Sequence, residues 1–190
     1  MIQVFHFPMN YAVYFDQELP PSGGAVVSFK AGSQQGGSKG LDGPLLGIEP
    51  RGEARWLACF ASGHRGSGFV DAVYATPDPD VLCVVSHGIG YWINTLTRKK
   101  DDVRAIPIRQ VQATGELLMF ADFTRVACYG SQGLLWISDT LVSDRLVIAR
   151  AEPASGLIEC RGWDAARGEH VAVSVDLKTG KSGTARSLSF

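Results

Sequence analysis

The chain nearly repeats itself. Residues 81–96 (VLCVVSHGIGYWINTL) and 126–141 (VACYGSQGLLWISDTL) agree at 6 of 16 positions at an offset of 45 residues, among them Cys83/Cys128, Ser86/Ser131, Gly88/Gly133 and Thr95/Thr140. Roughly one identity is expected by chance at background residue frequencies. Each copy is an apolar run, a turn around a glycine and an aromatic return, which is the layout of a β-hairpin. A period of 45 residues holds about four short strands, the length of a propeller blade.

The remainder of the chain follows the same grammar. Residues 4–15 are rich in aromatic and β-branched side chains, broken at Pro8 and Asn10, and read as one bent strand or two short ones. Residues 25–30 (AVVSFK) read as a strand hairpinned to that first one. Residues 31–43 (AGSQQGGSKGLDG) have almost nothing to bury and predict a mobile surface loop. Strands are expected at 52–60, where a helical turn or two is the competing reading, and at 69–74, 117–120, 145–150, 157–160 and 171–175, the starts near 52, 115 and 156 sharing a Gly-led pattern. Residues 98–102 (RKKDD) read as a solvated charged turn. Residues 103–111 alternate in part, with Pro107 pointing to a sheet edge.

No window carries apolar residues at helical spacing for long enough to predict a helix. The expectation is a single all-β domain over residues 1–190, of antiparallel sheets built from repeated hairpin units, propeller-like or sandwich-like, with little helix. The amino-terminal residues 1–7 are expected to pair with strands of the carboxyl-terminal half, because joined ends protect sheet edges.

The ending SVDLKTGK (residues 174–181) resembles the closing strand and turn of blades in quinoprotein-type and WD-repeat propellers, where the backbone turns after an acidic residue. The Trp-Asp pair of the second family is absent from that place. The stretches GLLWISDTLVSDRL and GWDAARGEHVAVSVDLKTG are similar to a group of uncharacterised bacterial proteins, which implies no activity.

A net charge of -1 offers no basic field for nucleic acid or anionic lipid, so neither is an expected partner. No run of 18 apolar residues exists, and the amino terminus lacks the cationic and apolar regions of a signal peptide. Cys59, Cys83, Cys128 and Cys160 stand singly in apolar runs, without CxxC spacing, so neither a metal site nor a disulfide scaffold is expected. A reducing cytoplasm fits that pattern, and no cofactor loop is recognisable.

Five residues carry the candidate chemistry. His64 and Arg65 sit among glycines, where backbone N–H groups and a guanidinium can meet a phosphate or carboxylate; the competing reading is an exposed hairpin loop. His87 is four residues from Cys83, but Gln132 replaces it in the second copy, and Cys83 between Leu82 and Val84 reads as a buried small hydrophobe. Asp122 and Asp164 follow apolar strands at similar positions; two carboxylates within roughly 5 to 10 Å can cleave a glycosidic bond, whereas aspartates at strand ends usually cap turns. Asp78 and Asp80 lack the further oxygens of a calcium loop. The aromatics Trp56, Tyr91, Trp92, Trp136 and Trp163 form either a binding platform or an inter-sheet core.

The expected function is therefore a non-enzymatic β module that binds another macromolecule, a protein, through its loops. The alternatives are a hydrolase using Asp122 and Asp164 with His64, and a structural or assembly subunit. The sequence leaves the oligomeric state open.

Overall fold

The computed structural model describes residues 2–3, 5–15, 17–18, 25–30, 43–63, 66 and 68–188. Those residues form strands and no helix, and the chain divides into two compact units, Met1–Val103 and Arg104–Phe190. In the first unit, sheet I runs in the order β2 (Tyr11–Tyr14), β4 (Leu45–Pro50), β5 (Trp56–Phe60), β3 (Val26–Phe29). Sheet II runs β1 (Ile2–Gln3), β6 (Ala72–Ala75), β7 (Val81–Ser86), β8 (Ile89–Asn94), β9 (Lys100–Asp102). The second unit holds two meanders. Sheet III is β10 (Gln110–Thr114), β11 (Leu117–Ala121), β12 (Val126–Gly130), β13 (Gly133–Ile137), and sheet IV is β14 (Asp144–Glu152), β15 (Leu157–Asp164), β16 (Glu169–Asp176), β17 (Arg186–Ser187).

The fold is all-β and sandwich-like. Within the first unit, Phe29, Ile48, Trp56 and Phe60 of sheet I join Leu82, Val84, Tyr91 and Ile93 of sheet II in one core. Within the second, Met119, Val126 and Trp136 of sheet III meet Ile148, Ile158, Val173 and Val175 of sheet IV. Each such side chain stabilises its unit by about 1.5–3 kcal/mol through apolar burial.

Several expectations are corrected. β3 does not form a hairpin with β2; it lies parallel to β5, while β2 pairs with β4. β4 itself has no counterpart in the sequence reading. The amino-terminal strand pairs not with the carboxyl-terminal half but with β6, in parallel, and β17 at the other end pairs with β16. Residues 100–102 are not turn but strand, an edge whose Lys and Asp side chains discourage further pairing. Residues 103–109 are irregular, and pairing begins only at Gln110, past Pro107, which has no N–H to give a ladder. Of the loop expected at 31–43, residues 31–42 lie outside the described residues.

The near repeat holds at the level of the hairpin. Cys83 faces Trp92 across β7–β8, and Cys128 faces Trp136 across β12–β13. The first turn places both His87 (φ 46°) and Gly88 (φ 81°) in the left-handed region; in the second, that conformation falls on Gly133 (φ 91°), after Ser131 and Gln132. At the level of the sheet the copies are out of step. β7 and β8 are the second and third strands of the β6–β9 meander, whereas β12 and β13 are the third and fourth of theirs.

A closer equivalence links the last turns of the two units, Asn94-Thr-Leu-Thr-Arg-Lys99 and Asp176-Leu-Lys-Thr-Gly-Lys181. Asp176 Oδ1 accepts the N–H and hydroxyl of Thr179, both at 2.7 Å; Asn94 Oδ1 accepts the same pair from Thr97 at 2.8 and 2.9 Å. The N–H groups of Gly180 and Arg98 then return to the carbonyls of Asp176 and Asn94, each residue at positive φ. An indole from the other sheet caps each turn: Trp136 Nε1 donates to Leu177 O at 3.0 Å and Trp56 Nε1 to Thr95 O at 3.1 Å. The turn after the acidic residue, noted in the resemblance to propeller blades, is thus formed at Asp176 and has a counterpart in the first unit at Asn94, where an amide takes the place of the carboxylate.

Thr179 holds the Asp176 carboxyl below its ordinary range. A folded value below the unfolded one means that the turn's stabilisation is complete above the ordinary carboxylate range and fades as pH falls through the depressed one.

Gly180 has φ +71°, and a Cβ there would lie 2.5 Å from the Trp136 ring; Gly168, at φ +68°, has open space. Gly168→Ala should therefore cost only the left-handed backbone penalty, about 1 kcal/mol, and Gly180→Ala about 2–4 kcal/mol. Urea unfolding followed by tryptophan fluorescence measures both, and equal losses would contradict the packing.

Candidate functional site

Sites on this fold lie where turns and strand ends leave regular pairing. Asp122 starts the β11–β12 turn, and its Oδ1 accepts the N–H groups of Thr124 and Arg125, both at 2.7 Å. Asp164 starts the β15–β16 turn, and its Oδ1 accepts the N–H groups of Ala166 at 2.9 Å and Arg167 at 3.4 Å. Its Oδ2 lies 3.5 Å from Arg167 Nε. Both aspartates therefore cap their own backbone, the local bond that a short acidic side chain favours.

Asp122 also lines a cleft of about 480 Å³ in the second unit, together with Arg109, Phe123, Asp144 and Arg145. Asp164 is not among its lining residues. The carboxylate that accompanies Asp122 there is Asp144, which the sequence reading passed over.

Three facts shape this cleft. The Arg109 guanidinium lies over the Phe123 ring, 4.7 Å from its centroid. Strand β14 carries one extra residue between Asp144, opposite Trp163, and Val147, opposite Arg161, so it bulges. Arg145 inside the bulge has φ 56°, a conformation uncommon outside glycine. Below the bulge the side-chain amide of Gln110 bridges the unpaired edges of β10 and β14: its Nε2 donates to Ile148 O at 2.9 Å and its Oε1 accepts Ile148 N–H at 2.8 Å. One glutamine thus does there what a strand's backbone would do.

His64 and Arg65 lie outside the described residues. His87 sits half-exposed at the tip of the β7–β8 hairpin, its Nδ1 2.9 Å from Ser62 Oγ and 3.7 Å from Asp71 Oδ1, while its N–H donates to Asp71 Oδ1 at 3.2 Å. Serine, histidine and aspartate thus meet, but serine and aspartate approach the same ring nitrogen. A working triad needs the carboxylate on one nitrogen and the hydroxyl on the other. The Gly63 N–H, next to the serine, is already donated to Ser86 O, so it cannot hold an oxyanion. This trio was illegible in the sequence, where its members are nine or more residues apart.

Cys83, the possible nucleophile, is fully buried, and burial drives its thiol far above the usual range. The Cys128 and Cys160 thiols are likewise pushed up to about 12 by burial. A thiol held protonated is a packing group, not a nucleophile. Trp56, Tyr91, Trp92 and Trp136 are buried, so they belong to the cores. Trp163 is half-buried and meets His170 edge to face.

Among the described residues, no group of three or more His, Cys, Asp or Glu gathers to hold a metal ion, and no helix is long and apolar enough to cross a membrane. The strand edges differ in character. β9 and β14 carry charged side chains, but β13 (GLLWI) has none and exposes Leu134, Leu135 and Ile137 by 41, 51 and 41%. No protein-family model matches the chain, and no curated protein matches it.

Because asparagine keeps the accepting Oδ1, Asp122→Asn and Asp164→Asn should each cost less than about 1 kcal/mol, and Asp122→Ala about 1–2 kcal/mol. Thermal melts of the three variants read this order. A large loss in Asp122→Asn would show that its charge, not its cap, matters to the fold.

Proposed function

We propose that the chain is a non-enzymatic β module of the cytoplasm that binds another protein, and that strand β13 is its principal binding edge. The observation that carries this reading is the exposure of Leu134, Leu135 and Ile137 on an edge strand with no charge and no proline. Natural sheets blunt such edges, because a row of unpaired N–H and C=O groups beside apolar side chains invites a further strand. Here the strand is also held ready: Trp136 turns inward and bonds Leu177 O, while the Leu135 side chain lies 3.2 Å from where a Cβ on Gly130 would stand. An extended segment of a partner would add to the edge through its backbone and set apolar side chains at alternate positions against the leucines. Little ordering is required of a strand already fixed by its own core.

The geometry favours binding over hydrolysis. The carboxylates of Asp122 and Asp164 are engaged in their own turns, and Asp164 is not among the residues that line the cleft beside Asp122. The four reduced, buried cysteines suit a cytoplasmic protein.

Selection from a library of displayed random peptides tests this reading. The enriched sequences should be extended, proline-free and apolar at alternate positions. Their affinity for Leu135→Lys should fall at least tenfold, about 1.4 kcal/mol or more, with the melting temperature kept. Binders that ignore Leu135→Lys would refute the assignment of β13.

A further inference from the structure

The cleft beside β14 brings charged groups of both signs together with an apolar wall. Its rim carries two guanidinium groups, Arg109 and Arg145, and two carboxylates, Asp122 and Asp144, so the formal charges cancel. Its apolar wall is Phe123 and Val147, and the β14 bulge and the left-handed backbone of Arg145 fall at this rim. Bulges and sparsely populated backbone conformations recur beside ligand sites because they re-aim side chains that regular strands would direct elsewhere. Contact with the Phe123 ring restrains the Arg109 guanidinium, and a restrained guanidinium suits two-point bonding to a carboxylate.

The acidic groups are partly engaged. Asp144 Oδ1 accepts the Arg145 N–H at 2.7 Å, and Asp122 Oδ1 accepts those of Thr124 and Arg125, which leaves Oδ2 of each for a ligand. Arg145 Nε and Asp144 Oδ2 are 4.0 Å apart, too far for a hydrogen bond. A plain anion in this cleft would face two carboxylates, and a plain cation two guanidinium groups. A molecule with both charges and an apolar part meets every wall. The Gln110 amide is occupied with Ile148, so orientation falls to the four charged groups.

We propose that this cleft binds a small zwitterion, an α-amino acid with an apolar side chain. Its carboxylate lies on Arg109 and Arg145, its ammonium on Asp122 and Asp144, and its side chain against Phe123 and Val147. A volume of about 480 Å³ falls in the range of small-molecule sites. The site is separate from the β13 edge and does not depend on the reading given to that strand.

Calorimetric titration of the full chain tests the assignment with four probes: L-leucine, L-phenylalanine, leucinamide, which lacks the carboxylate, and 4-methylpentanoate, which lacks the ammonium. Saturable binding of leucine or phenylalanine is expected, with leucinamide and 4-methylpentanoate at least tenfold weaker than leucine. Arg145→Gly suits the positive φ, so it removes the guanidinium without straining the backbone. It should keep or raise the melting temperature and weaken amino-acid binding tenfold or more; Asp144→Asn should weaken it similarly. Absence of saturable binding by either amino acid, 4-methylpentanoate binding as tightly as leucine, or binding that survives Arg145→Gly would each overturn the proposal.

Discussion

Within each unit, the two sheets share packed faces but no ladder of strand pairing, and directional bonds fix one against the other: an indole N–H to a turn carbonyl in both units, joined by the Tyr11 hydroxyl to Val81 O in the first and by the Gln110 amide to Ile148 in the second. Trp56 reaches Thr95, and Trp136 reaches Leu177. An apolar interface alone is tolerant of sliding, because burial is proportional to area and has no direction. A buried hydrogen bond has direction, and leaving its acceptor unmet costs about 1–3 kcal/mol. The acceptor must itself be held still, which is the task of the Asn94 and Asp176 caps and the positive-φ residues that follow. Sheet register, turn and tryptophan therefore form one mechanism, present once in each unit.

The same economy of edges explains the rest of the molecule. Three sheets of four strands and one of five leave many strand edges, and these are not all treated alike. β9 is charged, β10 and β14 are stitched by the Gln110 amide, and β13 is left apolar and bare. The proposed partner surface and the proposed small-molecule cleft both arise where a meander meets its limit. They are products of sheet geometry more than of any motif.

This also marks what was legible in the sequence. The β7–β8 hairpin and the glycine turns could be read because alternation and positive-φ residues are local signals. The parallel pairing of β3 with β5 and of β1 with β6 could not, since partners distant in sequence leave no local trace. β4 was missed for a related reason: Pro44 and Pro50 bracket LLGIE without a clear turn, and its burial comes from neighbours on both sides. The near repeat misled by one strand, because a hairpin's requirements for a turn, a cysteine and a facing tryptophan are the same wherever it sits in a sheet. Of the site residues, Asp122 was recognised for the turn it makes; Asp144 and Arg145 escaped because a bulge is set by the partner strand. The meeting of Ser62, Asp71 and His87 is likewise a fact of topology.

The cysteines have one consequence of their own. Cys59 lies on β5, Cys83 on β7, Cys128 on β12 and Cys160 on β15: one reduced, buried thiol in each of the four sheets, on a strand flanked on both sides. A thiol in such a place becomes accessible only when its own sheet opens. The chain thus carries a separate internal clock for each sheet, and the order in which its thiols yield to a small reagent would rank the sheets by their local stability.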